Sequence, residues 1–143
     1  LLGQTPLLPY YISCGPQSVA QARFLCPITL PDGAKNVQYR KLVFLVAHEE
    51  YVRFEAPVDV CLAHIPTVIQ QYNRSVPASQ QVPSVAPQPL EPLANRSRHY
   101  LSVPAWFDME STDQGVWAGS SDPMRPLIWV DTKNGVFYYL LLD

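Results

Sequence analysis

Charge is scarce in this chain. Asp, Glu, Lys and Arg make up 15% of the residues, against about a quarter in an average soluble domain. A surface this short of charge is expected to be covered in part by a partner, or by other parts of a longer polypeptide. The ten basic residues are scattered, and only Arg40 and Lys41 are adjacent. No phosphate-tracking patch results, so nucleic acid is not an expected partner. No apolar run approaches the ~20 residues that a membrane-spanning helix needs, and no membrane span is expected. The six glycines include no phosphate-binding loop, because Gly115 and Gly119 make neither a Walker nor a Rossmann pattern. The three cysteines, Cys14, Cys26 and Cys61, form no CxxC pair, which leaves no zinc or thioredoxin-type signature. Buried, reduced thiols in an intracellular protein are the expected state, and a Cys14–Cys26 disulfide in a secreted protein is the alternative.

The strongest local signal is LIWVDTKNGVFYYLLL, residues 127–142. Two runs rich in β-branched and aromatic residues flank Asn134-Gly135, a dipeptide suited to the positive φ angles of a type I′ hairpin turn. The second run is apolar at odd and even positions alike. A strand exposed on one face would alternate, so this one is expected at the sheet centre, covered on both sides.

A second β run, LVFLV at 42–46, precedes His48-Glu49-Glu50 and the sequence YVRFE. It reads as a hairpin with its tip at 48–50, and with Val52 and Phe54 on one face. Apolar residues Cys61, Leu62, Ile65, Val68, Ile69 and Tyr72 then recur at helical spacing. They predict one helix over 58–73, starting near Asp59 and disturbed at Pro66. Pro31-Asp32-Gly33 reads as a turn. Residues 22–30, interrupted by Pro27, are expected to form an edge or bulged strand. His99–Val103 is a short strand candidate, and Val116–Ala118 is expected to pair briefly.

The chain reads as a single domain over 1–143, with an extended N-terminal arm (1–16) and a proline-rich loop (75–93). The arm contains Pro6, Pro9 and Pro16, which rule out a helix there. Its start, LLGQTPLLPYYISC, has no basic residue and is not read as a signal peptide. The loop holds prolines 77, 83, 87, 89 and 92 and only one charge, which predicts an extended, polyproline-like segment. Pro89 and Pro92 have the PxxP spacing that SH3-type domains read.

From Lys41 onward the order of elements resembles the β-grasp, or ubiquitin-like, layout. KLVFLVAHEEYVRFEAP would be the first hairpin, 58–73 the helix and 127–142 later strands. The expected fold class is therefore α+β, a β-rich antiparallel or mixed sheet with one main helix, with an all-β sandwich or barrel as the alternative. Such a resemblance implies a docking or assembly module, and fold alone is an analogy for function.

Each candidate for chemistry has a structural counterpart. Cys61 and His64 lie three apart on the predicted helix and so share a face, the one arrangement that offers a thiol and a base. Asp108, Glu110, Asp113 and Asp122 lack the glycine and the bidentate glutamate of a calcium loop. Neither a metal nor a cofactor is expected. Asn73-Arg74-Ser75 and Asn95-Arg96-Ser97 fit the N-glycosylation pattern, which matters only in a secreted protein. Among the aromatics, Trp129 and Phe44 are expected in the core. Trp106, Phe107 and Trp117, set among polar loop residues, are the expected surface for a protein partner, together with Tyr10 and Tyr11 on the arm and Pro89 and Pro92 in the loop. The expected function is a non-catalytic protein–protein interaction or self-assembly module of a larger cytoplasmic protein. An extracellular or virion structural domain is the second reading, and a cysteine-dependent hydrolase the third.

Overall fold

The computed structural model describes residues 10–14, 25–44, 47–93 and 103–143. Among the described residues, seven strands form one sheet: β1 (Tyr10–Cys14), β2 (Lys35–Phe44), β3 (Ala47–Glu55), β4 (Gln88–Pro89), β5 (Gly115–Gly119), β6 (Leu127–Asp131) and β7 (Val136–Leu142). Their order is β1-β2-β3-β7-β6-β5-β4, and every described pair is antiparallel. With one main helix, α1 (Val58–Arg74), the chain is α+β. The mixed-sheet option and the all-β alternative both fall away. So does the β-grasp pairing, in which the closing strand runs parallel beside the first strand of the opening hairpin. Here β7 lies antiparallel against β3, the second strand of that hairpin. The order hairpin–helix–hairpin is present, but its wiring differs.

β7 is central, as its two-sided apolarity requires. Residues 136 to 141 are all buried. Phe137, Tyr139 and Leu141 face α1, packing with Val52, Phe54, Ile65, Val68 and Ile69. Val136, Tyr138 and Leu140 face the other way, into a second cluster with Tyr51, Phe107, Met109 and Trp129. Among the described residues, a segment at 103–109 packs over that second face through Val103, Trp106, Phe107 and Met109.

α1 begins after Pro57, which supplies no side-chain cap. Its ladder starts with the Cys61 N–H donating to the Pro57 carbonyl at 3.0 Å. Pro66 lies inside the helix on its exposed side, and the helix runs on to Arg74 despite the missing N–H donor. Ser75 ends it, donating through both its N–H (2.9 Å) and its hydroxyl (2.8 Å) to the Tyr72 carbonyl. The buried stripe is Cys61, His64, Ile65, Val68 and Ile69, while Leu62 and Tyr72 are partly buried at its margins.

Three local expectations are corrected. The hairpin tip is not at 48–50. His48 pairs with Val43 and Glu50 with Lys41 inside the ladder, and Phe44 pairs with Ala47. The polar run is strand, because Glu50 has partners that let it be buried there. The turn between β6 and β7 is not a two-residue type I′ turn. Asp131 pairs with Val136, leaving four residues in the loop, and of these only Gly135 takes a positive φ, 69°. The Asp131 carboxylate organises it, accepting from the Lys133 and Asn134 N–H groups at 2.9 and 2.8 Å. Residues 25–30 are not a strand but mostly bend and irregular chain, with Ile28 buried in the α1-side core and Thr29 bonded to Gln71 and His64 of α1. The turn at Pro31–Gly33 forms as expected, with Gly33 at φ 83° and the Ala34 N–H reaching the Pro31 carbonyl at 3.3 Å. The arm before Tyr10, residues 15–24, Leu45, Val46, the 95–97 sequon, the His99–Ser102 part of the strand candidate and the Phe44 side chain lie outside the described residues.

Candidate functional site

The seven residues nominated for partner binding do not form one surface. Phe107 is a core residue, 3% exposed. Its ring stands edge-on to Tyr51 at 5.3 Å and to Tyr138 at 5.5 Å. Trp106 and Trp117 are half-buried at the margin of the same cluster. A polar setting concealed this: the residues around Trp106 and Phe107 belong to a segment that closes over the sheet, and Trp117 lies on β5. Asp108 fastens that segment, accepting from the Tyr138 hydroxyl at 2.7 Å and from Arg53 Nε at 3.1 Å. Burial and the neighbouring Asp108 carboxylate push the Tyr138 phenol far above its ordinary pKa. Tyr10 and Tyr11 belong to β1, the outermost described strand on their side of the sheet, paired with Val43 and Leu42.

Pro89 and Pro92 do share a feature. Residues 83–93 form a strap with every side chain exposed except Leu90, which is half-buried against the second core cluster. Pro89 pairs with Val116 and Gln88 with Trp117, and the Leu90 N–H donates to the Gly115 carbonyl at 3.0 Å. At its other end the strap is held by Val82, which is buried and fixed by Asn73 at the end of α1. The Asn73 Nδ2 donates to the Val82 carbonyl and its Oδ1 accepts from the Val82 N–H. This Nδ2 is the atom that a glycan on the first sequon would occupy.

A second feature was not singled out from the sequence. A cleft of about 370 Å³ opens beyond the C-terminal end of α1, lined by His48, Glu50, Tyr72, Tyr139 and Asp143 among others. Glu50 is 8% exposed. Its Oε2 contacts His48 Nε2 at 2.6 Å, and its Oε1 accepts from the Tyr139 hydroxyl at 3.1 Å. The Lys41 ammonium lies 4.0 Å from Oε2. Burial, reinforced by Glu50, pushes the Tyr139 phenol well above its usual range. The apparent signal was a polar HEE run read as a turn. Its alternation, with His48 and Glu50 on the Val52 face, was available but was overridden by polarity. An adjoining lobe of about 400 Å³ shares Tyr72, Gln80 and Asp143 and adds Asp122, Met124 and Arg125.

The Cys61–His64 pair is built into the core. Cys61 is fully buried, and burial pushes its thiol up to about 11. His64 Nε2 bonds the Thr29 carbonyl at 2.7 Å, and its ring stands edge-on to Phe54 and Phe137. Burial lowers its pKa, against the opposing pull of the Thr29 carbonyl. A protonated, water-excluded thiol and an imidazole engaged elsewhere do not suit nucleophilic work. Among the described residues, no group of three acidic, histidine or cysteine side chains could hold a metal ion, and no helix is long and apolar enough to cross a membrane. Compared with known protein families, curated proteins and solved structures, the chain finds no match.

Proposed function

We propose that this chain is a non-catalytic interaction module of a larger intracellular protein. It works by presenting the strap at residues 83–93 to a partner domain that reads polyproline II ridges. The observation that carries the reading is the strap's inverted burial. Val82 and Leu90 anchor it, while Pro83, Pro87, Pro89 and Pro92 face solvent, together with Val85 (55% exposed) and Leu93 (46%). A segment that merely closed a gap would turn such groups inward. Proline carries no backbone donor and arrives with φ already set. A strap tied at two points therefore loses little conformational freedom on binding. The low charge of the chain and the two-sided covering of its sheet accord with docking through an appended segment, not through a sheet face.

The intracellular assignment draws support from the buried Cys61 thiol and from the engagement of the Asn73 amide with Val82. An extracellular or virion structural domain has less behind it, since one of its two sequons is occupied by that contact. A self-assembly role remains within the same reading if the reader of the strap belongs to the same parent protein.

Calorimetric titration of the whole chain against a panel of isolated SH3 and WW domains tests the proposal. At least one domain is expected to bind, and the double variant Pro89→Ala/Pro92→Ala is expected to lose that binding with its thermal midpoint unchanged. A chain that binds none of the panel, or a double variant that binds equally well, sinks the reading.

A further inference from the structure

We infer that the cleft beyond α1 receives a basic side chain, lysine or arginine, from a partner polypeptide. The inference does not depend on the strap. Its first support is charge. Three carboxylates, Glu50, Asp122 and Asp143, line the two lobes, against one permanent cation on the lining, Arg125, and a second, Lys41, 4.0 Å from Glu50, so negative charge remains in excess. The Arg125 guanidinium is turned toward the Ser79 carbonyl at 3.4 Å. Ser75, the residue that ends α1, also lines the cleft, so the partial negative charge of the helix terminus adds to the same field.

The second support is the state of Glu50. It is nine-tenths buried at the cleft and accepts one bond from Tyr139 on one oxygen and one contact from His48 on the other. A carboxylate offers about four acceptor positions, so Glu50 keeps capacity for a further donor even with Lys41 nearby. An acidic guest would meet an excess of like charge. An apolar guest would leave the remaining acceptor positions of Glu50 buried and unfilled, which is unfavourable. A lysine or arginine meets both conditions. Its aliphatic stem lies against Ile28, Val68 and Leu141, which line the cleft, and its head reaches Glu50 and the ring of Tyr72.

The test uses the whole chain labelled with 15N and four probes at matched ionic strength: the Nα-acetyl methylamides of lysine, arginine, norleucine and glutamate. The two basic probes are expected to shift the amides of Ile28, Gln71, Ser75 and Gln80, and the other two to leave them in place. Glu50→Gln is expected to weaken binding roughly tenfold, as loss of a buried charged hydrogen bond would. Should that variant fold poorly, Asp122→Asn at the exposed rim is expected to weaken it roughly twofold. Equal shifts with norleucine, stronger shifts with glutamate, or affinity unchanged in a folded Glu50→Gln variant and in Asp122→Asn would each overturn the inference.

Discussion

Asn73 and Val82 are joined by two hydrogen bonds that run in opposite directions. The Asn73 Nδ2 donates to the Val82 carbonyl at 2.9 Å, and the Val82 N–H donates to the Asn73 Oδ1 at 2.8 Å. A side-chain amide thus plays the part of a neighbouring strand, and it fixes the point where the proline-rich strap leaves the helix. Asn73→Ala leaves both Val82 backbone groups without their partners at a part-buried site. The expected loss is about 1–3 kcal/mol, read by urea denaturation. Proteolysis within 83–93 should quicken more than cleavage elsewhere. Asn73→Asp keeps the acceptor and loses the donor, so it should fall between.

Phe107 and Trp106 are neighbours in sequence with different expected responses. Phe107→Ala removes a ring that is 3% exposed and touches Tyr51 and Tyr138, so about 3–5 kcal/mol of stability should go. Trp106→Ala, at the margin of the same cluster, should cost clearly less. Denaturation midpoints of the two variants compare them directly, and equal losses would contradict the burial difference.

His64 and Cys61 set opposite pH limits. The folded pKa of His64 is depressed below the ordinary 6.5, so the unfolded chain takes up the proton first as pH falls. Its contribution is fully present above about pH 6.5 and is lost as pH falls through the folded value. Cys61 is raised from 9.0 to about 11, so the unfolded chain releases its proton first as pH rises. That contribution is fully present below pH 9 and is lost between 9 and 11. Denaturation midpoints measured across pH for the native chain, His64→Gln and Cys61→Ala should show the acid slope reduced in the first variant and the alkaline slope in the second. Maleimide labelling at neutral pH should spare Cys61 until the chain unfolds.

Gly135 and Gly33 both take positive φ, 69° and 83°, yet alanine should treat them differently. At Gly33 an added Cβ meets nothing within 4 Å, so only the left-handed backbone is penalised, by roughly 1–2 kcal/mol. At Gly135 the same atom would lie 2.4 Å from the Ala56 carbonyl oxygen. That carbonyl cannot swing aside freely, because the Ala56 N–H is bonded to the Gly135 carbonyl at 3.0 Å. Gly135→Ala should therefore be the more damaging change, and thermal midpoints of the two variants decide it.

Periodicity made the central elements legible. The α1 stripe and the two-faced strand β7 could be read because burial on a known face leaves a repeat in the sequence. Val52 and Phe54 were placed together for the same reason. Glu50 was misplaced in a turn because it is a polar residue buried by a partner distant in sequence, Tyr139, just as the Thr29 carbonyl accounts for the burial of His64. No local pattern announces such a partner. Phe107 was misplaced by its setting, since a covering segment has polar neighbours whether or not its aromatics turn inward. The strap's composition was plain from the prolines, but its anchors, Val82 and Leu90, are two ordinary aliphatic residues whose role depends on Asn73 and Gly115.

The seam between β3 and β7 also governs the order in which this chain can be assembled. Each hairpin, β2–β3 and β6–β7, closes over a short connection and can form early. Joining them brings together residues as far apart as Glu50 and Tyr139, 89 positions in sequence, and entropy resists so long a closure until many contacts form at once. The strand that completes both cores is also the last of the seven to leave the ribosome. During synthesis β3 and α1 must therefore wait with their apolar faces uncovered, an interval in which a nascent chain depends on chaperones or on its own dilution.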